Sequence, residues 1–163
     1  MSVTIRKATV DDAAQACAVI RRSIIELCRL DYASDDTLLA RWLASKTDEN
    51  VARWIAQSHH FLVADEEGTI LGAASMSDAG KVLLNYVSPD ARFRGVSKAL
   101  MQALEEHATA AGIAVCSLDS TQTALRFYQS LGYERTGAGD IHPVTRAPAL
   151  ALSKQLRPPG APR

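Results

Sequence analysis

Hydrophobic and polar positions follow two periods along this chain, and the points where the period changes divide it into elements. Residues 3–8 (VTIRKA) alternate and predict an edge strand. Thr9, with Asp12 three residues on, predicts a helix start. Ala13, Ala16, Cys17, Ile20, Ile24, Leu27 and Cys28 then share one helical face. Residues 31–36 break that face, and two shorter helical segments follow, around 37–44 and 49–57, carrying Trp42 and Trp54. Residues 60–65 (HFLVAD) and 70–77 (ILGAASMS) read as a hairpin around the turn EEGT. Residues 82–87 (VLLNYV) are almost continuously apolar, which predicts a central strand covered on both faces.

Ser88-Pro89-Asp90 stops that strand. Val96, Ala99, Leu100, Ala103, Leu104, His107, Ala108 and Ala111 form the cleanest amphipathic pattern in the chain, closed by Gly112. Residues 114–118 (AVCSL) predict a short buried strand, parallel to 82–87 if the helix between them is a crossover. Asp119, with Gln122 at the capping-box position, predicts the next helix, whose inner face is Ala124, Phe127, Tyr128 and Leu131. Strands follow at 133–136 and 148–153. The predicted order is β-α-α-β-β-β-α-β-α-β-β, a single mixed α/β domain over residues 1–155, with 156–163 expected to be a disordered tail.

Composition narrows the function. Apolar residues make up 47% and charged residues 22%, enough for a core without staples. Eighteen Lys and Arg balance eighteen Asp and Glu, which argues against a general nucleic-acid or membrane binder. Cys17, Cys28 and Cys116 are an odd count with no metal-type spacing, and are expected to be reduced, as in the cytoplasm. No leader pattern and no apolar run of ~18 residues is present, so neither a signal peptide nor a membrane span is expected.

The stretch ARFRGVSKAL (91–100) follows a buried strand and opens a helix. A helix's first turn leaves about four backbone N–H groups without intrahelical partners, and its dipole favours an anion there. Gly95 lets the backbone approach a ligand, and Arg92, Arg94 and Lys98 add charge. Cations in a first turn oppose the helix dipole, a cost that a bound anion would offset. The same stretch also reads as the solvated start of an ordinary helix.

A second stretch bears on that choice. TALRFYQSLGYE (123–134) resembles the C-terminal signature of the GNAT superfamily of N-acetyltransferases, Ala-x-x-Phe-Tyr-x-x-x-Gly-Phe/Tyr. Arg92-Phe93-Arg94-Gly95-Val96-Ser97 is similar to that family's Arg/Gln-x-x-Gly-x-Gly/Ala, and Val87-Ser88-Pro89 to its lead-in. The resemblance runs from about Ile5 to Ser153. It implies a mixed, mostly antiparallel sheet of six to seven strands flanked by helices, with a splayed parallel strand pair forming an acyl-CoA slot. It implies acetyl-CoA as co-substrate and no metal, with the pyrophosphate on the amides of Arg94, Gly95, Val96, Ser97, Lys98 and Ala99. The pantetheine arm would run along Tyr86 and Val87, and a backbone N–H there would hold the oxyanion. Tyr128 matches the family's general acid.

Three positions depart from the family pattern. Ser97 stands where Gly or Ala is usual, Thr121 where an Asn often contacts the cofactor, and residues 82–87 lack the glutamate that many members use as base. Candidate bases by residue type are His59, His60, Asp78, Asp31 and His142, or a water chain. Glu26, Asp31, Tyr32, Asp35 and Asp36 could form an acidic rim that steers a cationic amine. The acceptor is then a small-molecule or protein amine, with no nucleic acid or membrane partner, and the family allows a homodimer. Two other readings stay open: a non-catalytic acyl-CoA-binding module, and a nucleotide-binding α/β protein.

Overall fold

Seven strands among the described residues form two antiparallel sheets. The computed structural model of the chain describes residues 2–141 and 148–158; His142 and residues 159–163 of the expected tail lie outside them. The first sheet runs β1 (Thr4–Lys7), β2 (Phe61–Glu66), β3 (Thr69–Met76), β4 (Val82–Val87), in that order. The second contains β5 (Val115–Ser120), β6 (Glu134–Ile141) and β7 (Pro148–Gln155), in the order β5-β7-β6. The β2–β3 hairpin closes on Glu67 and Gly68, at φ 51° and 89°, the left-handed pair a tight two-residue loop needs. Beyond β7, Leu156 N–H still donates to Ala114 O at 2.8 Å.

Four helices stand between β1 and β2: α1 (Ala13–Leu27), α2 (Arg29–Tyr32), α3 (Asp36–Ala44) and α4 (Asp48–Gln57). The element missing from the sequence pattern is α2, a single turn inside the stretch expected to break, and Ala33 and Ser34 end it in left-handed conformations. Ahead of α1, the Asp12 carboxylate accepts from Thr9 N–H at 2.8 Å and is gripped by both terminal nitrogens of Arg6, each at 2.8 Å. Two further helices, α5 (Val96–Ala110) and α6 (Leu125–Ser130), flank β5 in the chain.

Alternation along the strands sends side chains to two cores. Leu62, Leu71, Leu100, Met101 and Leu104 pack between the first sheet and α5. Ile20, Ile24, Trp42, Val51, Phe61 and Val63 pack between its other face and α1–α4. β4 contributes Val82 and Val87 to the first cluster and Leu84 and Tyr86 to the second.

The expected central position of β4 is corrected: β4 is the last strand of its sheet. It meets β5 at one parallel bridge, Lys81–Ser117, where Ser117 N–H donates to Gly80 O at 3.0 Å. An apolar run reports that both faces are covered, not that both edges are paired, and here one edge opens into a cleft. The expected cap at Asp119 is also corrected. Asp119 still belongs to β5 and pairs with Lys81 Nζ at 3.0 Å, whereas Thr121 Oγ1 accepts from Ala124 N–H at 3.3 Å ahead of α6.

Candidate functional site

The loop between β4 and α5 is built by backbone conformation. Ser88 Oγ accepts from Asp90 N–H at 3.2 Å, and a 3₁₀ turn over Pro89–Ala91 carries the chain off the strand. Phe93 (φ 63°) and Gly95 (φ 76°) are both left-handed, so the loop reverses within three residues and starts α5. Ala99 N–H donates to Gly95 O at 3.0 Å, the first bond of the helix. The expected donor set therefore loses Ala99, whose amide is spent, and narrows to residues up to Lys98. The N–H groups of Val96, Ser97 and Lys98 lie in the first turn, without intrahelical acceptors, at the positive end of a four-turn dipole.

A Cβ built on Gly95 would meet nothing within 4 Å. The position demands a left-handed φ, and the open space beside it leaves room for a ligand to approach the backbone. Val96 is buried and contributes backbone only, while Ser97 is half-buried and Lys98 exposed. The three cations are not equivalent. Arg94 is paired with Glu66 at the end of β2, which holds that carboxyl below its usual range. Arg92 lies over the exposed Phe93 ring, 4.7 Å from its centroid.

Beyond the Gly80–Ser117 bond, β4 and β5 diverge and leave a cleft of about 190 Å³ between them, closed on one side by α6 and on the other by α1. Hydrogen-bond parity identifies which groups of β4 face it. Ser88 N–H bonds to Leu71 O at 2.7 Å, and Tyr86 and Leu84 share that parity, so their N–H groups point to β3. The N–H and C=O groups of Asn85 and Val87 point to the free edge. Of the two residues expected along the acyl arm, Val87 offers its backbone to the cleft, and Tyr86 instead offers its side chain.

Tyr128, on α6, reaches the same cleft. Its ring packs edge-on against Phe127 and Tyr133, with centroids 5.1 Å and 5.9 Å away. Burial raises its pKa above the ordinary phenol value, with the Asn85 amide a smaller opposing influence. The hydroxyl is therefore protonated throughout the neutral range and can act as a proton donor. Asn85 Oδ1 is buried and has no hydrogen-bond partner, an acceptor left open beside Tyr128. Thr121 lines the cleft with its hydroxyl already engaged at Ala124, and Thr123 Oγ1 donates to Asp31 Oδ2 at 2.9 Å, tying the start of α6 to α2.

Of the candidate bases, His59 and Asp78 come together, Nδ1 to Oδ1 at 3.0 Å, on the wall of a second cavity of about 470 Å³. His60 reaches the same carboxylate at longer range, Nε2 to Asp78 Oδ1 at 3.8 Å; its ring packs against His107 at 6.1 Å, and burial lowers its pKa, which keeps it neutral. Among the acidic rim residues, Asp31 binds Thr123 and Asp35 caps α3 through Thr37 and Leu38. Among the described residues no group of His, Cys, Asp or Glu is placed to hold a metal ion, and no helix is long and apolar enough to cross a membrane.

Three contributors went unread in the sequence. Asn85 looked like one polar interruption of an apolar strand, and strand parity was the only signal that it faced the cleft. Gly72 seats α5: a Cβ there would stand 2.9 Å from Leu100 Cδ1, 3.0 Å from Val96 Cγ1 and 3.2 Å from Tyr86 O. Gly80, at φ 90°, joins the sheets, and a Cβ there would stand 2.7 Å from Val115 O.

Comparison with known proteins places this arrangement among acyl-transfer folds. The family model described as acetyltransferase (GNAT) domain matches residues 29–141, more than half of the chain. A crystal structure of a GCN5-related N-acetyltransferase from Rhodopseudomonas palustris superposes with a TM-score of 0.84 at 25% identity, over 96% of this chain and 97% of that one. The PaiA N-acetyltransferase of Thermoplasma acidophilum, solved in complex with coenzyme A, superposes at 0.77 with 21% identity, over 95% and 99%. The ribosomal-protein-S18-alanine N-acetyltransferase of Escherichia coli does so at 0.70 with 19% identity, over 98% and 97%. No curated protein sequence matches the chain significantly.

Proposed function

The chain belongs to the GNAT acetyltransferase family, and from that premise we propose that it is an acetyl-CoA-dependent N-acetyltransferase acting on a primary amine. The observation that carries this reading is a buried, protonated Tyr128 in the cleft between β4 and β5, the strand β4 leading on to the open amides of α5.

The residues fit acetyl-CoA. The diphosphate suits the N–H groups at the start of α5, with Arg92 and Lys98 adding charge. The pantetheine arm suits the outward N–H and C=O groups of Asn85 and Val87, which would bond it as an added strand. The thioester then lies against Tyr128. The amine lone pair forms the C–N bond at the thioester carbonyl carbon while the C–S bond breaks, and the sulfur leaves with the bonding electrons. Charge developing on the carbonyl oxygen is met by whichever of the two outward N–H groups of β4, Asn85 or Val87, the pantetheine arm leaves open. Tyr128 donates its proton to the sulfur, and the proton lost by the amine restores the phenol through solvent. β4 carries no carboxylate to receive that proton, and the His59–Asp78 pair is the acceptor nearest in kind. The three cysteines are free, consistent with the cytoplasmic setting we assign.

The absence of a strand carboxylate favours one other reading, a non-catalytic acyl-CoA-binding module. Thiol release from acetyl-CoA across an amine panel separates the two. We expect release above hydrolysis with at least one amine. Tyr128→Phe should lower kcat by about 10²–10⁴-fold and leave acetyl-CoA affinity unchanged by calorimetry. Release at the hydrolysis rate with every amine, together with a silent Tyr128→Phe, sinks the enzyme reading.

A further inference from the structure

The cavity of about 470 Å³ lies against the α1–α4 face of the first sheet and shares Leu83, Leu84 and Tyr86 with the cleft that holds Tyr128. Its floor is a row of cross-strand neighbours, Phe61, Ser75 and Leu84, held in register by β2–β3 and β3–β4 pairing. Trp54 lines it from α4, and Lys46 from the short connection between α3 and α4. Because β4 is an edge strand, the cavity reaches that strand's free edge at Tyr86, where the cleft begins.

Charge gives the cavity a polarity. His59 and Asp78 satisfy one another on one wall. Lys46 is the other charged residue of the lining, and its Nζ is left with Ser45 Oγ at 3.0 Å and the Trp54 ring at 5.8 Å. No described carboxylate forms an ion pair with it. Burial lowers its pKa, as expected for an ammonium group held near apolar surface without a counter-charge. An ammonium so placed is a ready partner for an incoming carboxylate, and it repels an acceptor whose only charges are positive.

We propose that this cavity takes the acceptor, and that the acceptor is a small amine bearing a carboxylate on an apolar body. The carboxylate lies against Lys46, the body covers Phe61, Leu84 and Trp54, and the amine emerges over the edge of β4 beside Tyr86. The proposal rests on the acetyl-transfer reading and narrows it, since a cavity of this volume suits a small molecule (roughly 300–1,000 Å³ for such sites) rather than a protein surface.

The test uses matched pairs that differ only in the carboxylate, each acid carrying it across the apolar body from the amine: para-(aminomethyl)benzoate and benzylamine, ε-aminocaproate and pentylamine, δ-aminovalerate and butylamine. Binding to the CoA-saturated full chain is measured by calorimetry, and kcat and KM by thiol release, for the native protein and Lys46→Met. In at least one pair the acid should bind about 10–100-fold more tightly than its partner, the effect expected of a charge-assisted contact. Lys46→Met should remove that advantage through KM, leaving kcat, the decarboxylated partner and acetyl-CoA affinity unchanged. No preference for any acid in the native protein overturns the proposal, as does a Lys46→Met variant that weakens both members of a pair alike. The two readings fail differently. Lys46-dependent binding of an acid without turnover preserves the cavity and sinks acetyl transfer, whereas turnover of plain amines with a silent Lys46→Met does the reverse.

Discussion

At the scale of single residues, geometry separates groups that the sequence made look alike. Arg92, Arg94 and Lys98 are one basic run in the chain, yet Arg94 already has Glu66 and Arg92 rests on an aromatic ring. Gly95 and Gly72 are both glycines near α5, but one is needed for its left-handed φ and the other for the space of a missing Cβ. Asp12 is legible as a capping residue, but its grip by Arg6 is not, because that contact depends on where β1 delivers the guanidinium. Arg6 lowers the Asp12 pKa from 3.8 to about 2. A carboxyl whose folded pKa is depressed contributes stability that is complete above its unfolded value and lost as pH falls. We therefore expect this pair to contribute fully above pH 3.8 and to fade toward pH 2. Asp12→Asn should lower unfolding free energy at pH 7 by about 1–2 kcal/mol, allowing for solvent around Arg6. Its deficit should shrink in urea titrations repeated between pH 4 and 2, and a deficit independent of pH would show that the loss does not come from the charge of the Asp12 carboxylate.

At the scale of elements, the reading was sound where periodicity alone decides. The long helices α1 and α5 and the β2–β3 hairpin follow from apolar spacing and turn residues, since each is stabilised by contacts its own pattern encodes. The reading failed where a partner outside the segment decides. The apolar run of β4 correctly signalled coverage on both faces, but the choice between central and edge strand lies with Ser117 and Gly80, which bind it once and then turn away. Asp119 has the chemistry of a cap, yet β5 continues through it and Lys81 takes its charge. The candidate site shows the same division: the loop and Tyr128 were marked by motif, while Asn85 and Lys46 depend on strand parity and on helix packing. Gly72 is where packing becomes function, because it lets Val96 and Leu100 sit on β3 and so aims the first turn of α5 along the edge of β4. Gly72→Ala places a methyl against two core side chains and a strand carbonyl, so the helix start must lift. The expected cost is about 1–3 kcal/mol in chemical unfolding, with weakened acetyl-CoA binding by calorimetry. Lost stability with unchanged affinity would show that the first turn keeps its aim without that seat.

At the scale of the whole molecule, the fold is two sheets joined, among the described residues, by one backbone bridge, with a ligand-sized gap beyond it. That contact has a backbone part, in which Ser117 N–H meets Gly80 O, and a side-chain part, the Lys81–Asp119 pair. The two parts are not equal in energy. Lys81 is 45% exposed and Asp119 29%, so their pair contributes below about 1 kcal/mol. Gly80 combines a left-handed φ of 90° with a carbonyl 2.7 Å from where a Cβ would stand, and neither β4 nor β5 can shift there without widening the cleft. Gly80→Ala should therefore cost roughly 2–4 kcal/mol, from the strained backbone and the steric overlap together, and should weaken acetyl-CoA binding, because the gap depends on where the strands are pinned. Lys81→Ala should leave both quantities near their native values. If Lys81→Ala proves as damaging as Gly80→Ala in unfolding and calorimetry, the ion pair rather than the backbone contact holds the sheets at the angle that makes the cleft.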